Sequence, residues 1–124
     1  MTDRIKRELV LIAIAFGELE EDPNLQWFII KRWPLLQGWN KQYTRVLVMI
    51  PPGYALTPPD NFCVDADLTL KGGGQPGSAS IVQVIGQQWL QFSYHIEGSD
   101  WQPDKGHNLL TFLVGVTKRL NEVN

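Results

Sequence analysis

Ser93 and His95 are the two residues whose types and spacing are best suited to chemistry. They lie two positions apart in residues 89–96, which alternate apolar and polar residues as a β-strand does. Side chains two positions apart leave the same face of a strand, so a modest bend brings the serine hydroxyl within reach of the imidazole. Serine needs a base to become a nucleophile, and histidine titrates near neutral pH. The pair is therefore a candidate for acyl transfer, in which Ser93 would hold the acyl group as an oxyester.

Glu97 and Asp100 follow the pair, and either carboxylate could orient the imidazole of His95 as a third group. The sequence does not place either of them against the ring. In the purely structural alternative, Ser93 is an ordinary polar strand residue and His95 hydrogen-bonds a nearby loop. Residue types and spacing alone leave both interpretations open.

Cys63 is the only cysteine and is therefore the alternative nucleophile, because a thiolate attacks a carbonyl carbon more readily than an alcohol does. Its place in a strand-like apolar stretch favours a small, buried packing residue instead.

His107 precedes the last helical pattern, where a capping or solvent-facing role is expected. One cysteine and two histidines this far apart do not have the spacing of zinc ligands. We expect no metal and no other cofactor.

Two helices and about four strands are predicted to position these residues. Apolar residues recur every three or four positions in residues 3–17 and 107–123, which predicts amphipathic helices there. Strands are predicted over residues 26–33, 43–50, 62–70 and 89–96. A stiff proline-rich loop covers residues 51–60, and a glycine-rich connector or flap covers residues 71–80. The order predicts an α+β domain, an antiparallel β-meander with N-terminal and C-terminal helices.

The composition indicates one globular domain over residues 1–124. Hydrophobic residues make up 44% and charged residues 19%, which suits a packed core and not a disordered chain. The net charge of -2 provides no strong positive field, so nucleic acid is not an expected partner. The single cysteine suits the reducing cytoplasm, and no apolar run reaches the ~18 residues of a membrane span. The basic and apolar run over residues 4–15 is similar to a signal peptide, but Glu8 interrupts it and an amphipathic helix is favoured.

Three short motifs occur in an order that resembles the ubiquitin-conjugating enzyme superfamily. They are Pro58-Pro59-Asp60-Asn61-Phe62, then residues 89–95 ending in Phe92-Ser93-Tyr94-His95, then Trp101-Gln102-Pro103. The sequence is most similar to a prokaryotic branch of the superfamily, often called family E, whose members read PPDxF, WxxFSxH and WxP in this order. The resemblance covers roughly residues 26–120.

This resemblance implies a ubiquitin-conjugating fold, with an activating-enzyme-like protein and a ubiquitin-like protein as partners. It implies a carrier role in a bacterial ubiquitin-like modification pathway, with antiphage defence as its setting. The runner-up is a binding module that holds an activating enzyme or a ubiquitin-like protein without forming a covalent bond.

The sequence departs from the superfamily at the reacting residue. The active cysteine of the eukaryotic enzymes lies about eight residues before the tryptophan of Trp-x-Pro, and Ser93 has that position relative to Trp101. The His-Pro-Asn element, which supplies an oxyanion-stabilising asparagine, is also absent. The resemblance therefore implies that any conjugation chemistry uses Ser93 with His95 in place of the usual cysteine.

Overall fold

The computed structural model describes residues 2–124, in which two α-helices, six β-strands and two short 3-10 helices are found. The helices are α1, Thr2–Phe16, and α2, Leu109–Leu120. The 3-10 helices are Gly98–Asp100 and Pro103–Lys105. The strands are β1 (Leu19–Glu21), β2 (Trp27–Pro34), β3 (Tyr43–Met49), β4 (Asp60–Asp65), β5 (Ala79–Val84) and β6 (Gln87–His95).

α1 forms where the helical periodicity predicts it. Ile5, Leu9 and Ile12 are buried on one face, at spacings of four and three residues. The helix ends at Phe16, and the next residue, Gly17, has φ 89°, a conformation that glycine adopts without steric cost. Among residues 2–124, neither α-helix has the length and hydrophobicity that a membrane span requires.

The strands form one antiparallel sheet in the order β1-β2-β3-β4-β6-β5. α1 and α2 pack on one face of this sheet, and together they enclose the main core, to which the central strands contribute Phe28, Val46, Phe62 and Phe92. We call the other side the open face. It carries a smaller buried cluster of Ile29, Leu47, Cys63 and Trp89.

α2 begins at Leu109 because Asn108 caps it. The Asn108 side chain accepts a hydrogen bond from the Thr111 N–H at 3.1 Å, and the Thr111 hydroxyl accepts one from the Asn108 N–H at 3.0 Å. This reciprocal capping box ends the preceding loop and starts the helix two residues later than the predicted residue 107. The predicted apolar stripe is buried: Leu109, Phe112, Leu113, Val116 and Leu120.

The prediction of about four strands was wrong, because the sheet has six. β1 is three residues long and mostly acidic, so it lacks the usual strand signal. β5 was missed although Ile81, Val82 and Val84 are β-branched or apolar, because the preceding glycine-rich stretch indicated a flexible loop. β5 and β6 form a hairpin whose turn residues, Ile85 and Gly86, both have positive φ, as a type I′ turn requires. The third predicted strand is also shorter than expected, ending at Asp65.

Candidate functional site

Ser93 and His95 lie on the open face of β6 at its C-terminal end. Leu90 and Phe92 point into the core, whereas Ser93 and His95 are exposed, as the alternation predicts. β5 begins at Ala79 opposite Phe92, and the Ser93 N–H then donates to the Ser78 carbonyl at 2.9 Å. The two side chains therefore stand where the hairpin ends and are open to approach from solvent.

A bulge on β6, opposite Asn61 of β4, fixes this end of β6 against β4. Asp60 pairs with His95, and the register shifts at Asn61, which has φ 60°, a conformation that asparagine tolerates better than most residues. The Asn61 Oδ1 accepts a hydrogen bond from the Tyr94 N–H at 3.0 Å. Bulges of this kind re-aim side chains and are common beside functional sites. The sequence motif contained Asn61, but nothing in the sequence indicated this contact.

Glu97 is the carboxylate that the structure brings to the imidazole. The His95 Nε2 and the Glu97 Oε1 are 3.2 Å apart, and both side chains are exposed. Asp100 lies on the next 3-10 helix, and no hydrogen bond or ion pair joins it to His95 within residues 2–124. Solvent weakens an exposed pair, so the contact orients the ring more than it stabilises the fold. The structural alternative also expected His95 to bond a nearby loop, so both interpretations accommodate this contact.

The structure places Ser93 on the same face as the His95–Glu97 pair but does not join it to the imidazole. Among the described residues, the Ser93 hydroxyl has no hydrogen bond to His95. Catalytic hydrogen bonds are often long without substrate and tighten when the reacting group binds, so the missing contact does not remove the pair as a candidate.

Cys63 lies in the buried cluster of the open face and is only 3% exposed. Its thiol faces the Gln91 Oε1 at 3.9 Å, and burial raises its pKa to about 11. The side chain is therefore a neutral thiol at neutral pH, and a neutral thiol is a poor nucleophile.

His107 lies in the loop before α2, where its Nδ1 accepts a hydrogen bond from the Gln102 N–H at 2.9 Å. It closes the loop that carries Trp101 and Pro103. The Trp101 Nε1 donates to the Ala55 carbonyl at 2.8 Å, which fastens this loop to the proline-rich loop. No group of three or more His, Cys, Asp or Glu residues between 2 and 124 could hold a metal ion.

The buried carboxylate of Glu8 joins three parts of the chain and was not anticipated. Glu8 is 5% exposed, and its Oε1 accepts hydrogen bonds from the Tyr54 hydroxyl and from the Leu109 N–H at the start of α2. Its Oε2 accepts a hydrogen bond from the Arg4 Nε at 2.7 Å. Burial, and then the hydrogen bond to Glu8, raise the pKa of Tyr54. The sequence did contain an indication of this buried carboxylate, because Glu8 lies on the apolar stripe of α1 between Ile5 and Ile12.

An antiparallel sheet backed by two terminal helices, with a Trp-x-Pro loop fastened to a proline-rich loop, is the arrangement expected of ubiquitin-conjugating proteins. The sequence matches the family described as Prokaryotic E2 family E over residues 4–123, nearly the whole chain. The chain therefore belongs to this family, which confirms the resemblance carried by its three motifs. Membership indicates a conjugating-enzyme-like role and, in general terms, interaction with activating enzymes and ubiquitin-like proteins. Comparisons with curated proteins and with solved structures found no match.

Proposed function

We propose that the chain is the carrier of a bacterial ubiquitin-like modification pathway and that Ser93 holds the modifier as an oxyester. The observation that carries this proposal is the exposed Ser93 on the same strand face as the His95–Glu97 pair. Ser93 also has the position of the superfamily's nucleophile relative to Trp101. The only thiol, Cys63, is buried, and its pKa is raised to about 11, so it is poorly suited to the reaction.

In the charging step, the Ser93 Oγ attacks the carbonyl carbon of the modifier's C-terminal thioester on the activating enzyme, and His95 accepts the hydroxyl proton. The tetrahedral intermediate then breaks its C–S bond, and the activating enzyme's cysteine leaves with the proton held by His95. In the discharge step, an amine of the target attacks the oxyester carbonyl carbon, and His95 accepts the amine proton. The C–O bond to Ser93 then breaks, and His95 returns the proton to the Ser93 oxygen, which restores the hydroxyl. Glu97 orients the imidazole and balances its positive charge in both steps.

The oxyanion formed in these steps needs a hydrogen-bond donor, and Asn61 is the side chain that we assign to this role. The bulge on β6 places its residues Ser93 and Tyr94 opposite the single residue Asn61 of β4. Its Oδ1 already accepts the Tyr94 N–H, so its Nδ2 amide is the group that remains to donate. Asn61 then replaces the missing asparagine of the His-Pro-Asn element.

The test is charging with a ubiquitin-like protein, its activating enzyme and ATP. The expected adduct survives thiols but not mild hydroxide, as an oxyester does. Ser93→Ala abolishes it, and His95→Ala slows its formation by roughly 10²–10⁴-fold, the usual effect of losing a general base. Ser80→Ala is the matched control, because Ser80 is an exposed serine opposite Gln91 on the neighbouring strand. Ser93→Cys is expected to form a thiol-sensitive adduct instead.

A non-catalytic binding module is the second candidate, and the missing hydrogen bond between the Ser93 hydroxyl and His95 favours it. Such a module binds the activating enzyme or the modifier tightly but forms no adduct. Tight binding without an adduct, or an equal yield of adduct on Ser93→Ala, would replace the serine mechanism with this second function.

We propose that the pathway acts in antiphage defence, the setting that the resemblance to the prokaryotic branch implies. In cells that carry the protein with its neighbouring genes, Ser93→Ala is then expected to increase phage plaque numbers toward those of cells without the genes. Ser80→Ala should preserve protection. Equal protection by the Ser93→Ala and wild-type proteins would contradict a defence role that depends on the oxyester.

A further inference from the structure

β5 forms one edge of the sheet and lacks the features that normally stop an edge from pairing with another strand. Charged side chains, proline, bulges and short length usually protect such edges. β5 is six residues long and contains no proline and no charged residue. Residues 72–94 contain no Asp, Glu, Lys or Arg at all. The opposite edge, β1, has three residues, of which two are glutamate, so only β5 is open to pairing.

The hydrogen bond from the Ser93 N–H to the Ser78 carbonyl determines which main-chain groups of β5 face away from β6. Because Ser78 directs its carbonyl toward β6, alternation turns the main-chain groups of Ala79, Ile81 and Gln83 away from β6. Within residues 2–124, no hydrogen bond from outside the strand ladder reaches the main chain of Ile81 or Gln83.

Ala79 differs from these two residues because its outward carbonyl already has a partner. The Gln75 Nε2 donates to the Ala79 carbonyl at 2.6 Å. This contact supports the assigned direction of the strand's main-chain groups and limits the open edge to Ile81 and Gln83.

We propose that β5 pairs antiparallel with the β5 of a second copy of this chain, about a two-fold axis at Val82. Ile81 of each copy then pairs with Gln83 of the other, and each of these pairs exchanges both of its main-chain hydrogen bonds. Val82 faces its own counterpart across the axis. In this register, the outward N–H and carbonyl groups of Ile81 and Gln83 form the new hydrogen bonds. The Gln75 side chain keeps its hydrogen bond to the Ala79 carbonyl.

A second copy suits this edge because symmetric pairing places no like charges opposite each other. Val82 pairs with Trp89 within the chain and packs against the open-face cluster, so pairing at Val82 brings the clusters of two copies together. On the other face, Ile81 is 49% exposed and would be covered. Each copy uses its one open edge, so the association closes at a dimer.

Sedimentation velocity of the full chain over a range of concentrations tests the proposal. An interface of two strands is small, so the expected dissociation constant is on the order of 10–100 μM. Val82→Lys places like charges at the axis and should raise this constant at least ~10-fold. Val114→Lys is the matched control, since Val114 is an exposed valine on α2, and it should leave the constant unchanged.

An equimolar mixture of Val82→Lys and Val82→Glu distinguishes lost pairing from lost folding. Opposite charges meet across the axis in the mixed dimer, so the mixture should dimerise although each variant alone does not. Gln83→Pro provides a main-chain test, because it removes an N–H that faces away from β6. This variant should be monomeric and should keep the circular dichroism spectrum of the wild type.

A wild-type protein that stays monomeric up to about 1 mM would overturn the proposal, given the expected weak affinity. So would a Val82→Lys protein that dimerises as the wild type does, or an equimolar mixture that stays monomeric. These measurements use no modifier and no activating enzyme. Dimerisation through β5 can therefore be disproved while the serine mechanism holds, and the serine mechanism can be disproved while dimerisation holds.

Discussion

Burial of the Cys63 thiol predicts that this residue contributes packing and no transfer chemistry. Cys63→Ser should keep adduct formation and lower the free energy of unfolding by about 1–2 kcal/mol, because it buries a hydroxyl with only the Gln91 Oε1 nearby. Denaturant unfolding and the charging assay measure the two effects. Loss of the adduct in a folded Cys63→Ser protein would make this thiol the nucleophile.

Single residues show how far the sequence alone predicts the candidate site. Strand alternation correctly placed Ser93 and His95 on an exposed face, because the side-chain period of two is a local property. The contact between His95 and Glu97 depends on the path of the chain after β6, which the sequence does not specify. Glu8 was missed as a contact residue because its hydrogen-bond partners Tyr54 and Leu109 lie 46 and 101 residues away in the chain.

At the scale of elements, α2 and β6 meet at Gly115 and Tyr94. A Cβ at Gly115 would collide with the hydroxyl and ring of Tyr94. Gly115→Ala should therefore lower the free energy of unfolding by about 1–3 kcal/mol through overpacking, although alanine is the better helix former. Thermal or denaturant unfolding checks the value.

The same substitution at Gly72 is the control, because a Cβ there meets nothing within 4 Å. Gly72→Ala should leave stability nearly unchanged. A Gly115→Ala protein as stable as the wild type would show that Tyr94 moves aside without cost. Since Tyr94 is the neighbour of both Ser93 and His95, slower charging should accompany the expected loss of stability.

Elements with their own local signal were predicted, and elements that depend on tertiary pairing were not. α1 and α2 each carry an apolar stripe, and β2 and β3 are rich in β-branched and aromatic residues. β1 exists because Leu19 and the two glutamates pair with β2, and the residues themselves give no strand signal. Likewise, β4 ends at a turn and α2 begins at a capping box. Both features involve only a few residues, so a periodic pattern of apolar residues does not reveal them.

At the scale of the whole molecule, the ion pairs of Asp65 make the stability of the fold depend on pH in the acid range. Asp65 accepts hydrogen bonds from the Lys41 Nζ at 2.8 Å and the Arg45 Nε at 2.6 Å, so it joins β4 to β3 and the loop before it. Burial alone would raise the pKa of Asp65, but the hydrogen bonds from Lys41 and Arg45 outweigh it and hold the pKa below its ordinary value.

A lowered carboxyl pKa in the folded state stabilises the protein above the unfolded pKa of about 3.9, and this stability is lost as the pH falls through the folded value. Asp65→Asn should therefore lower the free energy of unfolding by about 1–2 kcal/mol at pH 7. It should also flatten the fall in stability between about pH 5 and pH 2, as measured by denaturant unfolding across this range.

Asp67→Asn is the matched control for this measurement. The Asp67 side chain is 76% exposed and contacts only the Lys41 Nζ among the described residues, so solvent screens its ion pair. Its effect on stability should be small at every pH. An Asp65→Asn profile that parallels the wild type across the acid range would show that other carboxylates control acid unfolding.

The strand order also determines how the chain can fold. β6 lies between β4 and β5, although β5 precedes it in sequence, so the chain must leave β4, pass the place of β6 and return. The turn at Ile85 and Gly86 lets β5 and β6 form a hairpin within roughly 1–10 μs, whereas pairing with β4 must first close a longer loop. We therefore expect the hairpin to form before it docks on β4, and docking is the step that brings Ser93 and His95 to Asn61.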